Sequence, residues 1–231
     1  MRRALDIGLP VITLALLGLG AYLGLVATPP ERAMGDVYRI LYVHVPSAWA
    51  ALVGFTICFG VSVAYLFTSK PTLDAVAEST AEVSLVFTTI LLFTGSVWAR
   101  PTWGVFWTWD PRLTTAAIMW IAFMGYLALR RFVDDPDKRA TWSAIAAIVI
   151  YVDVPIVYLS VKWWNTLHQM QSSPKTVDPA MVMALRVSAF GFLFALWWFA
   201  RARYGIARAR QALELAGPDD EPVAAAAGSR T

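Results

Sequence analysis

The chain is short of charge. Asp, Glu, Lys and Arg make up 15% of its 231 residues, against about 25% in an ordinary soluble domain. With 58% hydrophobic residues and a mean hydropathy of +0.56, it cannot hide its apolar surface in one soluble core. It reads as an integral membrane protein, which excludes disorder throughout and a DNA-binding domain as descriptions of the whole. The pI of about 9.1 accompanies a net charge of only +3. Excess Lys and Arg on a cytoplasmic membrane face accounts for that. Cysteine is nearly absent, Cys58 standing alone in an apolar run. An intrachain disulfide and a Cys-built zinc or iron–sulfur site are therefore excluded. Without C-x-x-C-H the chain is not itself a c-type cytochrome. No G-x-x-x-x-G-K-[ST] occurs, so any ATP dependence must come from a partner.

A spanning helix needs about 20 mostly apolar residues. Six stretches qualify: 5–27, 47–68, 82–100, 113–132, 142–161 and 180–200. The expected fold is an all-α integral membrane protein, a six-transmembrane-helix bundle over residues 1–205. The first stretch follows Arg2 and Arg3 like a signal peptide, but it is about twice a typical 7–15-residue h-region and reads as a retained anchor. Six spans put both termini on one side. If that side is cytoplasmic, its segments hold Arg2, Arg3, Lys70, Arg130, Arg131, Lys138, Arg139, Arg201, Arg203, Arg208, Arg210 and Arg230. The other side holds Arg32, Arg39, Arg100, Arg112, Lys162 and Lys175, half as many. The asymmetry favours cytoplasmic termini. The outside loops are then 28–46, 101–112 and 162–179, and the inside loops 69–81 and 133–141. Residues 206–231 read as a disordered, dispensable cytoplasmic tail.

Aromatics are unevenly placed. Of eleven tryptophans, Trp49, Trp98, Trp103, Trp107, Trp109, Trp163 and Trp164 fall on the expected outside face or its border. Trp142, Trp197 and Trp198 fall at the inside border and suit an interfacial aromatic belt. A belt does not explain four tryptophans between Trp98 and Trp109. Both histidines, His44 and His168, fall in outside loops, each beside aromatics. Val37, Leu41 and His44 share one helix face, and Pro46 suits the first turn of the second span. His44 would stand at the rim of the bundle.

Two imidazoles from separate loops, with indoles between, suit a flat aromatic iron complex. Heme iron takes axial nitrogens from opposite sides, porphyrin faces stack on indoles, and propionates pair with Arg or Lys. Arg39, Arg100, Arg112 and Lys162 are on the right face. A zinc site is the rival. It needs three or four ligands, the third coming from Asp110, Asp36 or Glu31, and no H-x-x-x-H spacing occurs.

Two charges fall inside spans. Asp153 would lie about 12 Å and Arg186 about 9 Å from the outer end of their helices. Intramembrane charges are costly and commonly paired, so an Asp153–Arg186 pair is expected, either functional or locking two helices. Pro155 should kink the helix beside Asp153. Asp110 followed by Pro111 reads as the N-cap of the fourth span, orienting the loop rather than touching iron.

The run W103-G-V-F-W-T-W-D110-P-R-L-T114 resembles the tryptophan-rich "WWD" signature of heme-handling proteins of cytochrome c maturation. With six spans, Y-V-H44-V-P-S-A-W and W-W-N-T-L-H168-Q, residues 1–205 resemble the CcmC (heme exporter protein C) family. The resemblance implies a loop 101–114 that holds heme b, with His44 and His168 as axial iron ligands. It implies Trp103, Gly104, Trp107, Trp109, Asp110, Arg112, Trp163 and Trp164 as cofactor-binding residues. It further implies an assembly with the ATPase CcmA, the membrane subunit CcmB and the small subunit CcmD. The site would lie on the periplasmic face of the bacterial inner membrane and serve the chaperone CcmE. Such a chain handles heme and is not an enzyme. The alternatives are a solute- or heme-conducting permease subunit of an ABC-type transporter, marked only by Asp153 and Arg186, and a heme lyase, for which no third histidine is left.

Overall fold

The computed structural model describes residues 2–168 and 177–216, with side chains from Leu5 onward. The described residues are helical, with no strand beyond an isolated bridge between Glu31 and Gly35. Seven α-helices form six segments long and apolar enough to cross a membrane. They are α1 (Arg2–Tyr22), α2 (Leu41–Thr68), α3 (Pro71–Trp103), α4 (Pro111–Phe132), α5 (Pro136–Tyr151), α6 (Asp153–Trp163) and α7 (Pro179–Ala216). α5 and α6 make one span between them.

Prolines mark several boundaries. Pro71, Pro111 and Pro136 each open a helix at its first position, where the missing N–H costs nothing. Asp110 and Asp135 cap α4 and α5 by accepting backbone N–H groups. The fifth span breaks at Val152 because Pro155 has no N–H for the carbonyl of Tyr151 and its ring crowds that carbonyl. α3 ends at Gly104, whose φ of 81° is the left-handed conformation a helix C-cap requires.

The spans overrun the expected boundaries, and three expectations change. Asp36–Ile40 is a 3-10 turn running directly into α2, so His44 sits in the first turns of a helix and not in a loop. The expected inside loop 69–81 shrinks to Ser69 and Lys70, and Asp74 and Glu78 are buried on α3. Helix α7 continues through Ala216, so 206–216 is ordered helix; residues 217–231 lie outside the described ones.

Helices α2 and α3 pack along their lengths. Small residues allow the close approach: Ala50, Ala51, Ala75, Ala81 and Ser84 are fully buried. Lipid offers apolar side chains as good a home as a neighbouring helix does, so such packing carries the association. Phe55 of α2 stacks on Phe123 of α4 at 3.7 Å. Helix α7 covers α2 and α3 and carries α1, while α4 holds α5 and α6.

At the end opposite the tryptophan-rich segment, buried Arg130 donates to both oxygens of Asp74, at 2.7 and 2.9 Å, and to Glu78 at 3.0 Å. Arg210 of α7 reaches Glu78 at 2.5 Å, and Arg203 pairs with Glu82. Acidic residues that looked like loop charges thus tie α3, α4 and α7 together.

The expected Asp153–Arg186 pair does not form. Helix α7 packs on α1, α2 and α3, which leaves Arg186 on an exposed face away from α6. Asp153 Oδ2 is buried without a hydrogen-bond partner.

Candidate functional site

The N-terminal turns of α2 present Leu41, His44, Val45 and Ala48 on one face, toward the C-terminal turns of α3. His44 meets His168 there, with ring centroids 6.3 Å apart and planes 29° from parallel. Two cavities flank the pair. One, open at its mouth, is lined by Tyr38, Trp49 and Tyr158 among others. The other is walled by Trp103, Trp107, Leu91, Gly95 and Val157. His44, His168, Arg112 and Trp98 line both.

His168 is delivered by a short tether. Asp110 is buried and accepts from Thr166 Oγ1 at 2.7 Å, Leu167 N at 2.7 Å and Arg112 N at 2.9 Å. The backbone N–H of His168 donates in turn to Thr166 Oγ1 at 3.1 Å. The residue that caps α4 therefore also holds the segment bearing His168. Burial raises the Asp110 pKa, but the hydrogen bonds from Thr166, Leu167 and Arg112 outweigh it and hold the carboxyl below its usual value.

The sequence-expected residues divide. His44, His168, Trp103, Trp107 and Arg112 meet at the cavities, and Asp110 supports them from behind. Gly104 shapes the turn, its carbonyl accepting from Arg100 Nη1. Trp109, 82% exposed, lines neither cavity, and neither do the exposed Trp163 and Trp164. Of the four candidate cations only Arg112 lines the cavities, its Nη1 donating to the carbonyl of Val157. Arg39 is bound to Asp36 and to the carbonyls of Gly24 and Thr28, and Lys162 is exposed. The sequence reading missed Tyr38, Tyr158 and Thr94 as neighbours of the pair. Trp98, on the outside face by sequence, lines both cavities.

The zinc alternative finds no third ligand among the described residues. Asp110 is engaged as above, Glu31 accepts from the N–H groups of Ala33 and Met34, and Asp36 binds Arg39. The 6.3 Å centroid separation matches that of two imidazoles on either side of one metal. At metal–nitrogen distances of about 2 Å, such rings have centroids about 6 Å apart.

Fold and site together define a polytopic helical membrane protein with a two-histidine, tryptophan-walled cleft at one end of its bundle. The family model described as "Heme exporter protein C" (CcmC) matches residues 2–216, and the chain belongs to that family. It is similar to heme exporter protein C of Bradyrhizobium diazoefficiens, 36% identical over 87% of this chain and 79% of that protein. The protein of that name from Escherichia coli K12 is 36% identical over 80% and 76%. A ccmC-like mitochondrial protein of Marchantia polymorpha, named for cytochrome c biosynthesis, is 33% identical over 85% and 82%.

Proposed function

We propose that this chain is the heme-binding membrane subunit of a cytochrome c maturation assembly, presenting heme b to the chaperone CcmE. Its partners are the ATPase CcmA, the membrane subunit CcmB and the small subunit CcmD. It lies in the bacterial inner membrane with both termini cytoplasmic and the cleft on the periplasmic side. One observation carries the reading: two imidazoles 6.3 Å apart stand between cavities that share them. A flat ring held between the imidazoles would extend toward these cavities.

Heme, the cargo, supplies an iron that accepts an axial imidazole from each face. His44 and His168 provide those nitrogens. Trp98, Trp103 and Trp107 wall the ring and exclude water, and Arg112 offers a cation to a propionate. Asp110 keeps His168 opposite His44. Phe106 and Trp109, 60% and 82% exposed, stand at the rim where an acceptor protein would arrive. The chain handles heme and makes no bond to it beyond ligation. Asp153 and Arg186, the only marks of the permease reading, face different surroundings.

The test is the absorption spectrum of purified protein. A six-coordinate, low-spin heme is expected, lost in both His44→Ala and His168→Ala. An unchanged Soret band in both variants overturns the ligand assignment.

A further inference from the structure

Behind His44 stands Thr94 of α3. Its hydroxyl oxygen is 2.7 Å from the carbonyl oxygen of Ile90 and 3.1 Å from Nδ1 of His44. A carbonyl has no proton to give, so the hydroxyl donates in the shorter contact. One hydroxyl carries one proton, which leaves only lone pairs toward His44. The contact is then a hydrogen bond only when Nδ1 carries the proton. In a neutral imidazole the remaining lone pair sits on Nε2. The next residue shapes the same seat. A Cβ on Gly95 would lie 3.1 Å from Cε1 of His44, so a side chain there would press on the ring and push it by a few tenths of an ångström.

We propose that Thr94 is a positioning residue for the heme ligand His44. It holds the imidazole as the Nδ1–H tautomer and keeps Nε2 available to iron, while Gly95 gives the ring its place. This rests on the reading of His44 as an axial ligand. Thr94 acts through His44 alone. A hydrogen-bond acceptor behind a ligating imidazole fixes its orientation and raises its basicity, and losing one typically costs about 10–100-fold in metal affinity.

The chain has only two histidines, so ¹⁵N-histidine labelling reports on two rings, and His168→Asn leaves His44 alone. Spectra of the heme-free protein at about pH 8, above the usual imidazole pKa of about 6.5, give the tautomer directly. The expected result is a protonated Nδ1 on His44. Thr94→Val, which keeps the shape and removes the hydroxyl, should shift the ring toward the Nε2–H form, and Thr94→Ser should restore it. In heme titrations Thr94→Val should bind about tenfold more weakly or worse, with Thr94→Ser close to the parent. A protonated Nε2 in the parent, or the same tautomer in Thr94→Val, overturns this inference alone. A heme spectrum unchanged by His44→Ala overturns the ligand reading and this inference with it.

Discussion

Trp107 and Trp109 are two positions apart and their rings meet edge-on at 5.9 Å, yet they face different surroundings. Trp107 walls a cavity, whereas Trp109 is 82% exposed and walls neither. Ring stacking is worth about 0.5–1.5 kcal/mol per pair, so Trp107→Ala should weaken heme binding by about two- to tenfold. Trp109→Ala should leave heme affinity unchanged while impairing transfer to the chaperone. Heme titration of each variant, followed by a transfer assay, separates the two roles. Asp110 adds a pH-dependent element. Its folded pKa lies below the unfolded value of about 3.9, so its stabilisation is complete above that value. It is lost as pH falls through the lower folded value. Exchange protection of the Leu167 amide should therefore persist to about pH 4 and fail in stronger acid. Asp110→Asn should weaken protection already at neutral pH, because its single accepting oxygen cannot replace both carboxylate oxygens, one facing Thr166 and the other Leu167.

Among the elements, α4 connects the two ends of the bundle. Its first turn carries Asp110 and Arg112 at the cleft, and its last turn carries Arg130 in the acidic cluster of α3. Removing one partner of a buried ion pair leaves an uncompensated charge and costs about 3–5 kcal/mol. Arg130→Met leaves buried Asp74 without its cation and Glu78 with Arg210 alone, so it should lower the amount of folded protein in the membrane. Arg131→Met, one residue along and facing outward, should accumulate normally. Quantifying both variants in membrane fractions checks this. Equal levels would mean that the cluster does not hold α3, α4 and α7 together. The length of α7 follows from the same cluster, since Arg203 and Arg210 give its far end partners on α3.

For the molecule as a whole, orientation follows from charge asymmetry between the two sides. A reporter active only outside the cytoplasm should be active when fused after Thr108 and silent when fused after Asp135. The opposite pattern would put the histidine cleft in the cytoplasm and end the proposal that it serves a periplasmic chaperone. The cleft is an assembly of distant parts: α2, the end of α3, the start of α4, α6 and the segment before α7 each contribute a wall or a ligand. Its geometry therefore depends on the bundle being folded.

Hydropathy and length alone determined the number of spans, because crossing hydrocarbon demands about 20 apolar residues whatever the neighbours do. The N-cap at Asp110 and the break before Pro155 were also legible, since capping and the missing proline N–H are local effects. The two histidines, Trp103, Trp107 and Arg112 could be singled out from composition and motif. Only the tertiary structure decided which tryptophans face the cleft, because neighbouring side chains on an irregular segment point in directions that packing sets. It likewise decided that Asp74 and Glu78 are buried partners of Arg130, and that Asp153 and Arg186 are not partners of each other. Equal depth in a membrane fixes one coordinate of a charge, and an ion pair also requires that the two helices be neighbours with facing sides. Thr94 was invisible for the same reason: it is one apolar-span threonine among several until α3 is laid against α2 and its hydroxyl meets His44.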